Sequence, residues 1–146
     1  MSNYTVEIQG MDQMVSNLRK IDGDIRGAVA LRAVNAGAAQ IEDKARMNAP
    51  VLTGALRNSA STISKQIGNG AEAEIGFRGI PYARIQEYGG TIRARNKPYL
   101  VYRVGGQWRK SKSVTITGKH YLERAINEAS GNARDAMADV ISSYLR

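Results

Sequence analysis

Glu87 is the side chain in this sequence best suited by type to act as a general base, lying between Gln86 and Tyr88 just ahead of the Gly89-Gly90 pair. Acid–base catalysis needs a second group to return the proton, and the neighbouring sequence supplies no other carboxylate and no histidine. A hydrolase built on Glu87 would have to bring in Lys44, Asp43 or His120 by folding. A helix-capping or inter-subunit ion pair is the simpler role for Glu87. His120 is the single histidine and cysteine is absent, so multi-histidine metal sites, thiolate metal sites, disulfides and thiol nucleophiles all lack their parts. No catalytic residue, metal or cofactor is therefore expected. The segment Ala49-Pro50-Val51-Leu52-Thr53-Gly54-Ala55-Leu56-Arg57-Asn58-Ser59 reads as structural. Pro50 stops a helix, Thr53 can bond nearby backbone, and Gly54 can take positive φ without a steric penalty. It lacks the glycines and the lysine of a phosphate-cradling loop.

The second chemistry available is electrostatic. The 146 residues carry 21 Lys plus Arg against 13 Asp plus Glu, a net charge of +8. Between Glu87 and Glu123 no acid occurs, whereas Arg93, Arg95, Lys97 and Arg103 are followed by Arg109, Lys110, Lys112 and Lys119. Outside that stretch acids and bases balance, so one segment carries the whole excess. Such a segment creates a positive potential suited to DNA phosphates or to an acidic protein. Tyr99, Tyr102, Trp108 and Tyr121 are interleaved with the charges and could stack on bases, although they are equally good strand residues.

These residues must be held by elements that the hydropathy pattern reveals. Tyr4-Thr5-Val6-Glu7-Ile8 alternates as a short strand and stops at Gly10. Asp12 is placed to cap a first helix carrying Met14, Leu18 and Ile21. A second, alanine-rich helix runs from Asp24 to about Met47, with Ile25, Val29, Ala33, Ala36 and Ile41 near one face. Residues near Ser59 to Gln66 and Ala71 to Phe77 form a hairpin about Gly68-Asn69-Gly70, with Glu72 and Glu74 outward and Ala73, Ile75 and Phe77 inward. Pro81 breaks the pattern. Tyr82 to Tyr88 gives one or two helical turns, and Gly89-Gly90 marks a corner. Tyr99 to Val104, Gln107 to Arg109 and Val114 to Thr117 follow as strands, with Gly105-Gly106 as a tight turn. A last helix from about Tyr121 to Leu145 carries the stripe Leu122, Ile126, Ala129, Ala133, Met137, Val140, Ile141 and Tyr144.

The expected class is α+β: an antiparallel sheet of about four to six strands with a long alanine-rich N-terminal helix and a long C-terminal helix packed on it. Residues 1–146 are read as one domain with a basic β insertion at 91–118. The length suffices to bury roughly two-thirds of the unfolded surface. No apolar run approaches the roughly 18 residues of a membrane span, and the first 25 residues, with Glu7, Asp12, Asp22 and Asp24, do not read as a signal peptide.

Three motifs in order carry a resemblance. They are Ala-Pro-Val-x-Thr-Gly-x-Leu-Arg-x-Ser at 49–59, Tyr-Ala-x-x-x-Glu-Tyr-Gly at 82–89, and Tyr-Leu-x-x-Ala at 121–125. Together they resemble the minor structural proteins of long-tailed phages and prophages, the gene-product-ten type of tail-completion, head–tail joining or neck protein, and are also similar to virion morphogenesis proteins. In that family the last motif contains prolines that Lys119-His120-Tyr121-Leu122-Glu123-Arg124-Ala125 lacks, and 91–118 is longer here than in the shortest members. The resemblance implies a structural importance for Pro50, Thr53, Gly54, Leu56 and Arg57, for Tyr82, Ala83, Glu87, Tyr88 and Gly89, and for Tyr121 and Leu122. It implies a non-enzymatic assembly protein of the virion, made in the bacterial cytoplasm and acting at the head–tail junction or tail end. The implied partners are further copies of itself in a ring, possible as a hexamer or dodecamer, and tail-terminator, tail-tube or head-completion proteins, with no membrane involved. In such a ring Arg93, Arg95, Lys97, Arg103, Arg109, Lys110 and Lys112 would meet passing DNA or an acidic neighbour. The competing reading from charge and aromatics alone is a sequence-independent nucleic-acid-binding domain.

Overall fold

The computed structural model describes residues 11–50, 54–80, 82–104 and 106–145, and the expected strand at Tyr4 to Ile8 lies outside them, as does Thr53. In chain order the elements are α1 (Asp12–Arg19), α2 (Gly23–Asn48), α3 (Ala55–Asn58), β1 (Ala60–Ile67), β2 (Gly70–Phe77), α4 (Ala83–Tyr88), β3 (Gly89–Arg93), β4 (Leu100–Val104), β5 (Gln107–Ser111), β6 (Ser113–Thr117) and α5 (Tyr121–Ser143). They fall into two compact units: one comprises the chain up to Ile80 together with Tyr121 onward, the other Pro81–His120.

In the first unit, α2 is fixed at both ends by local chemistry. The Asp22 carboxylate accepts the Asp24 N–H at 2.9 Å, satisfying one of the orphan donors of the first turn. At the other end Ala49 turns extended, with ψ 136°, as the residue before a proline must. Asp12 does not cap α1 as expected. Met11 occupies the cap position and Asp12 is the first helical residue, where its charge faces the positive end of the helix dipole.

The core of this unit is the seam between α2 and α5. Small residues dominate it: Ala33 and Ala45 on α2, and Ala125, Ala129 and Ala133 on α5, are all buried. Their size lets the two backbones approach closely. At Gly37 a Cβ would lie 2.7 Å from the Cγ of Met137 and 3.2 Å from the Ala133 carbonyl, so the seam has no room for a side chain there. Larger residues close its two ends. Met14, Ile21, Val29, Ala33 and Ile141 form one cluster, and Ile41, Ala129 and Ala133 form another with Ile75 and Ile126 against them. Ile25, expected on the buried face, is exposed, because the place beside Val29 is filled by Ile21 from the α1–α2 connection.

α2 also covers one face of the antiparallel pair β1–β2, in which Ala60 opposes Phe77 and Ile67 opposes Gly70. As expected, Glu72 and Glu74 point outward and Phe77 is buried. On β1, however, the inward positions are polar. Thr62 donates to the Glu42 carboxylate and Ser64 donates to Asn35 Oδ1, both on α2, while Ile63 and Ile67 face out at 58% and 51% exposure.

The second unit is built on two further antiparallel pairs. β3 pairs with β6, Gly89 opposite Thr117 and Arg93 opposite Ser113, and β4 pairs with β5, Leu100 opposite Ser111 and Val104 opposite Gln107. The described strands thus form three two-stranded ladders, antiparallel throughout as the sequence suggests. β3 is the element absent from the sequence reading. Its first residue, Gly89, has φ 79° and crosses the chain at Gly118 so closely that a Cβ would sit 2.6 Å from the Gly118 nitrogen and 2.7 Å from the Ile116 oxygen. The glycine pair that marks a corner is also where a strand begins, because only glycine permits that approach.

Candidate functional site

The motif residues of the first unit are framework. Pro50 follows the end of α2, and Gly54, at φ 83°, is the left-handed residue that opens α3. Leu56 is buried. Arg57 reaches back to the end of α2, its Nη2 donating to the Met47 carbonyl at 3.5 Å, and its Nε is buried without a partner among the described residues. Tyr121 and Leu122 are buried at the start of α5, and the Tyr121 ring meets Phe77 edge-to-face at 4.9 Å. Such an aromatic pair adds about 0.5–1.5 kcal/mol to the area it buries.

In the second unit Ala83 is buried and Glu87 is 0% exposed, which withdraws Glu87 from the inter-subunit ion pair considered above. The backbone around it is pinned. Lys119 N–H donates to the Gln86 carbonyl at 2.8 Å and His120 N–H to the Glu87 carbonyl at 3.0 Å. Tyr82 and Tyr88 remain part exposed, and the Arg84 guanidinium stands 5.6 Å from the centre of the Tyr88 ring. Of the groups weighed as partners for Glu87, His120 is brought beside it, a ring nitrogen lying within 4.8 Å of a Glu87 carboxylate oxygen, whereas the other two are committed elsewhere. Lys44 pairs with Glu128 at 3.4 Å and Asp43 with Arg46 at 3.5 Å, both on the first unit's helices.

The cations are the exposed feature of the second unit. Arg93, Arg95, Lys97, Arg109, Lys110 and Lys112 are all exposed, and among the described residues none of them forms an ion pair; Arg103 lies on β4 opposite Trp108. The ion pairs Lys44–Glu128, Arg46–Glu42, Lys65–Glu72 and Arg78–Glu74 belong to the first unit. With its one acid, Glu87, buried, the second unit presents an uncompensated positive surface. Part of it forms an open groove of about 1030 Å³ in which Arg93, Arg95 and Lys97 stand beside Ile85, Ile92, Tyr99 and Val101. The apolar wall of the groove was not foreseen. Ile85 comes from α4 and Ile92 from the unrecognised β3, so no local pattern joins them to Tyr99.

On β4–β5, opposed residues share a face, so Val101 and Lys110 point one way with Trp108, while Tyr102 and Arg109 point the other. Trp108 is 69% exposed.

A tail-protein family model, described as "Bacteriophage HK97-gp10, putative tail-component", matches residues 12–89, just over half of the chain. The chain belongs to this family. No curated protein and no solved structure matches it. The matched span of this HK97-gp10-like chain runs from α1 through α4 and takes in two of the three motifs, 49–59 and 82–89. Membership gives it a structural, tail-related role and a place with the virion. The basic strands lie beyond the matched span. Among the described residues, no helix is long and apolar enough to cross a membrane.

Proposed function

We propose that this HK97-gp10-like protein is a non-enzymatic tail-completion or head–tail connector component that closes as a ring of identical copies at the head-proximal end of the tail. The ring would adjoin tail-terminator, tail-tube or head-completion proteins. In this reading the groove cations of the second unit face the path of the DNA. The observation that carries it is the segregation of charge: a family of tail components supplies the setting, and one unit of this chain exposes cations that no acid of its own neutralises. Phosphate attraction without base reading suits a surface past which DNA of any sequence must slide.

The test is the salt dependence of binding to a short random-sequence duplex. Each phosphate contact contributes about 0.9 to the slope of log affinity against log salt. Replacing Arg93, Arg95, Lys97 and Arg109 together with Gln is expected to flatten that slope by about 2–4 and to weaken binding at every sequence tested. An unchanged slope would remove DNA from the account and leave an acidic protein neighbour as the partner of the groove.

A further inference from the structure

We propose that the outward face of β1–β2 on one copy receives the Val101–Trp108–Lys110 face of β4–β5 on the next copy, a head-to-tail contact between two different hairpins. It rests on the ring reading above and specifies how such a ring would be joined.

Two observations lead to it. The first is the reversed alternation of β1. Thr62 and Ser64 are held inward by partners on α2, so the register is locked and Ile63 and Ile67 stay outward on one face, either side of Lys65, which is paired with Glu72 at 3.2 Å. A strand whose only neighbour on that side is water would carry polar residues there. The second is the matching pattern on β4–β5, where Val101 at 61% exposure and Trp108 lie on one face. Val101 also borders the groove that holds Arg93, Arg95 and Lys97, so the contact would adjoin the proposed DNA surface.

Charge selects between the possible pairings. On β1–β2, Ile63 stands opposite Glu74; on β4–β5, Val101 stands opposite Lys110. The basic hairpin cannot stack on its own copy without opposing Lys110 to like charge, and its unit has no exposed acid to relieve this. Against β1–β2 it brings apolar onto apolar and Lys110 to Glu74. The Glu74–Arg78 ion pair, 3.5 Å long and with Glu74 largely exposed, is too weak to hold the carboxylate from a second cation. Because the two faces differ, the contact is heterologous and can propagate to closure, whereas an isologous one would stop at a dimer.

The chain contains no cysteine, so paired cysteines report the contact directly. In a full-length Ile63→Cys, Trp108→Cys chain, mild oxidation should give a ladder of disulfide-linked multimers on a non-reducing gel. Neither single variant alone should give even a linked dimer, whereas a mixture of the two should give one and stop there. Charge reversal is the second arm. Glu74→Lys and Lys110→Glu should each weaken self-association at least about tenfold, and the two together should restore it. A wild-type chain that assembles while the double-cysteine chain forms no intermolecular link, or links only within itself, overturns this contact and leaves the ring standing. A linked dimer from Ile63→Cys alone overturns it in favour of an isologous pairing. A wild type that stays monomeric to millimolar concentration removes the ring and the contact together.

Discussion

Asp22 holds the start of the longest helix through one hydrogen bond, to the Asp24 N–H. Asp22→Ala should cost about 1 kcal/mol and lower Tm by about 2–4 °C, measured by calorimetry. Glu128 is the side chain whose proton affinity the fold visibly alters. The Asn48 amide donates to its carboxylate at 3.4 Å and Lys44 adds a charge, and together they hold its pKa below the ordinary glutamate value despite some desolvation. A carboxyl group with a depressed folded pKa contributes stability above its unfolded pKa and loses that contribution as pH falls through the folded value. Asn48→Ala should therefore raise the Glu128 midpoint toward the ordinary value, as read by carboxyl carbon chemical shifts, and should make the thermal stability of the chain less sensitive to acidification in that range. The Asn48–Glu128 contact could not be foreseen from spacing, since folding brings together residues 80 positions apart. Asp12 and Asp22 are the same residue type ahead of a helical pattern, and only the backbone conformation makes Asp22 a cap and Asp12 a first-turn residue.

The elements themselves were largely legible. The turn at Gly68-Asn69-Gly70 fixed the β1–β2 register, and the 3.6-residue stripe marked α5 from Tyr121 almost to its end. The α2–α5 seam follows from composition, as a run of alanines gives a thin helix face. That thinness makes it intolerant of added volume. Ala133→Leu, at a fully buried position between the helices, should cost about 1–3 kcal/mol, whereas the reverse defect, Ile41→Ala, should cost about 2–5 kcal/mol by leaving a cavity; urea unfolding distinguishes both from wild type. What stayed hidden was set by contacts between elements. β3 begins in a glycine pair whose purpose is a close crossing with Gly118, and no strand propensity announces it. The isoleucines of β1 face outward because hydroxyls and amides on α2 claim the inward positions, a choice that depends on Glu42 and Asn35 being opposite. Gly89→Ala should disrupt the β3–β6 ladder, since its Cβ would strike backbone that cannot move aside and its φ would be strained; exchange of the Ile92 and Val114 amides in deuterated water is the readout.

At the level of the whole molecule, the central claim is that this HK97-gp10-like tail component is an assembly subunit whose second unit offers positive charge to DNA. The charge asymmetry is plain in the sequence, and the structure adds that Arg93, Arg95, Lys97, Arg109, Lys110 and Lys112 are exposed and form no ion pairs among the described residues. Which faces meet was not readable, because a surface belongs to several elements at once. The most direct measurement is the solution mass of the purified full-length chain by light scattering at low and high salt, with and without a short duplex. The account predicts a closed multiple of the 15.9 kDa chain that survives high salt, with duplex binding that fades as salt rises. A 15.9 kDa species at both salts without duplex, which at low salt takes up the duplex as a single chain, would contradict it and favour an autonomous nucleic-acid-binding domain.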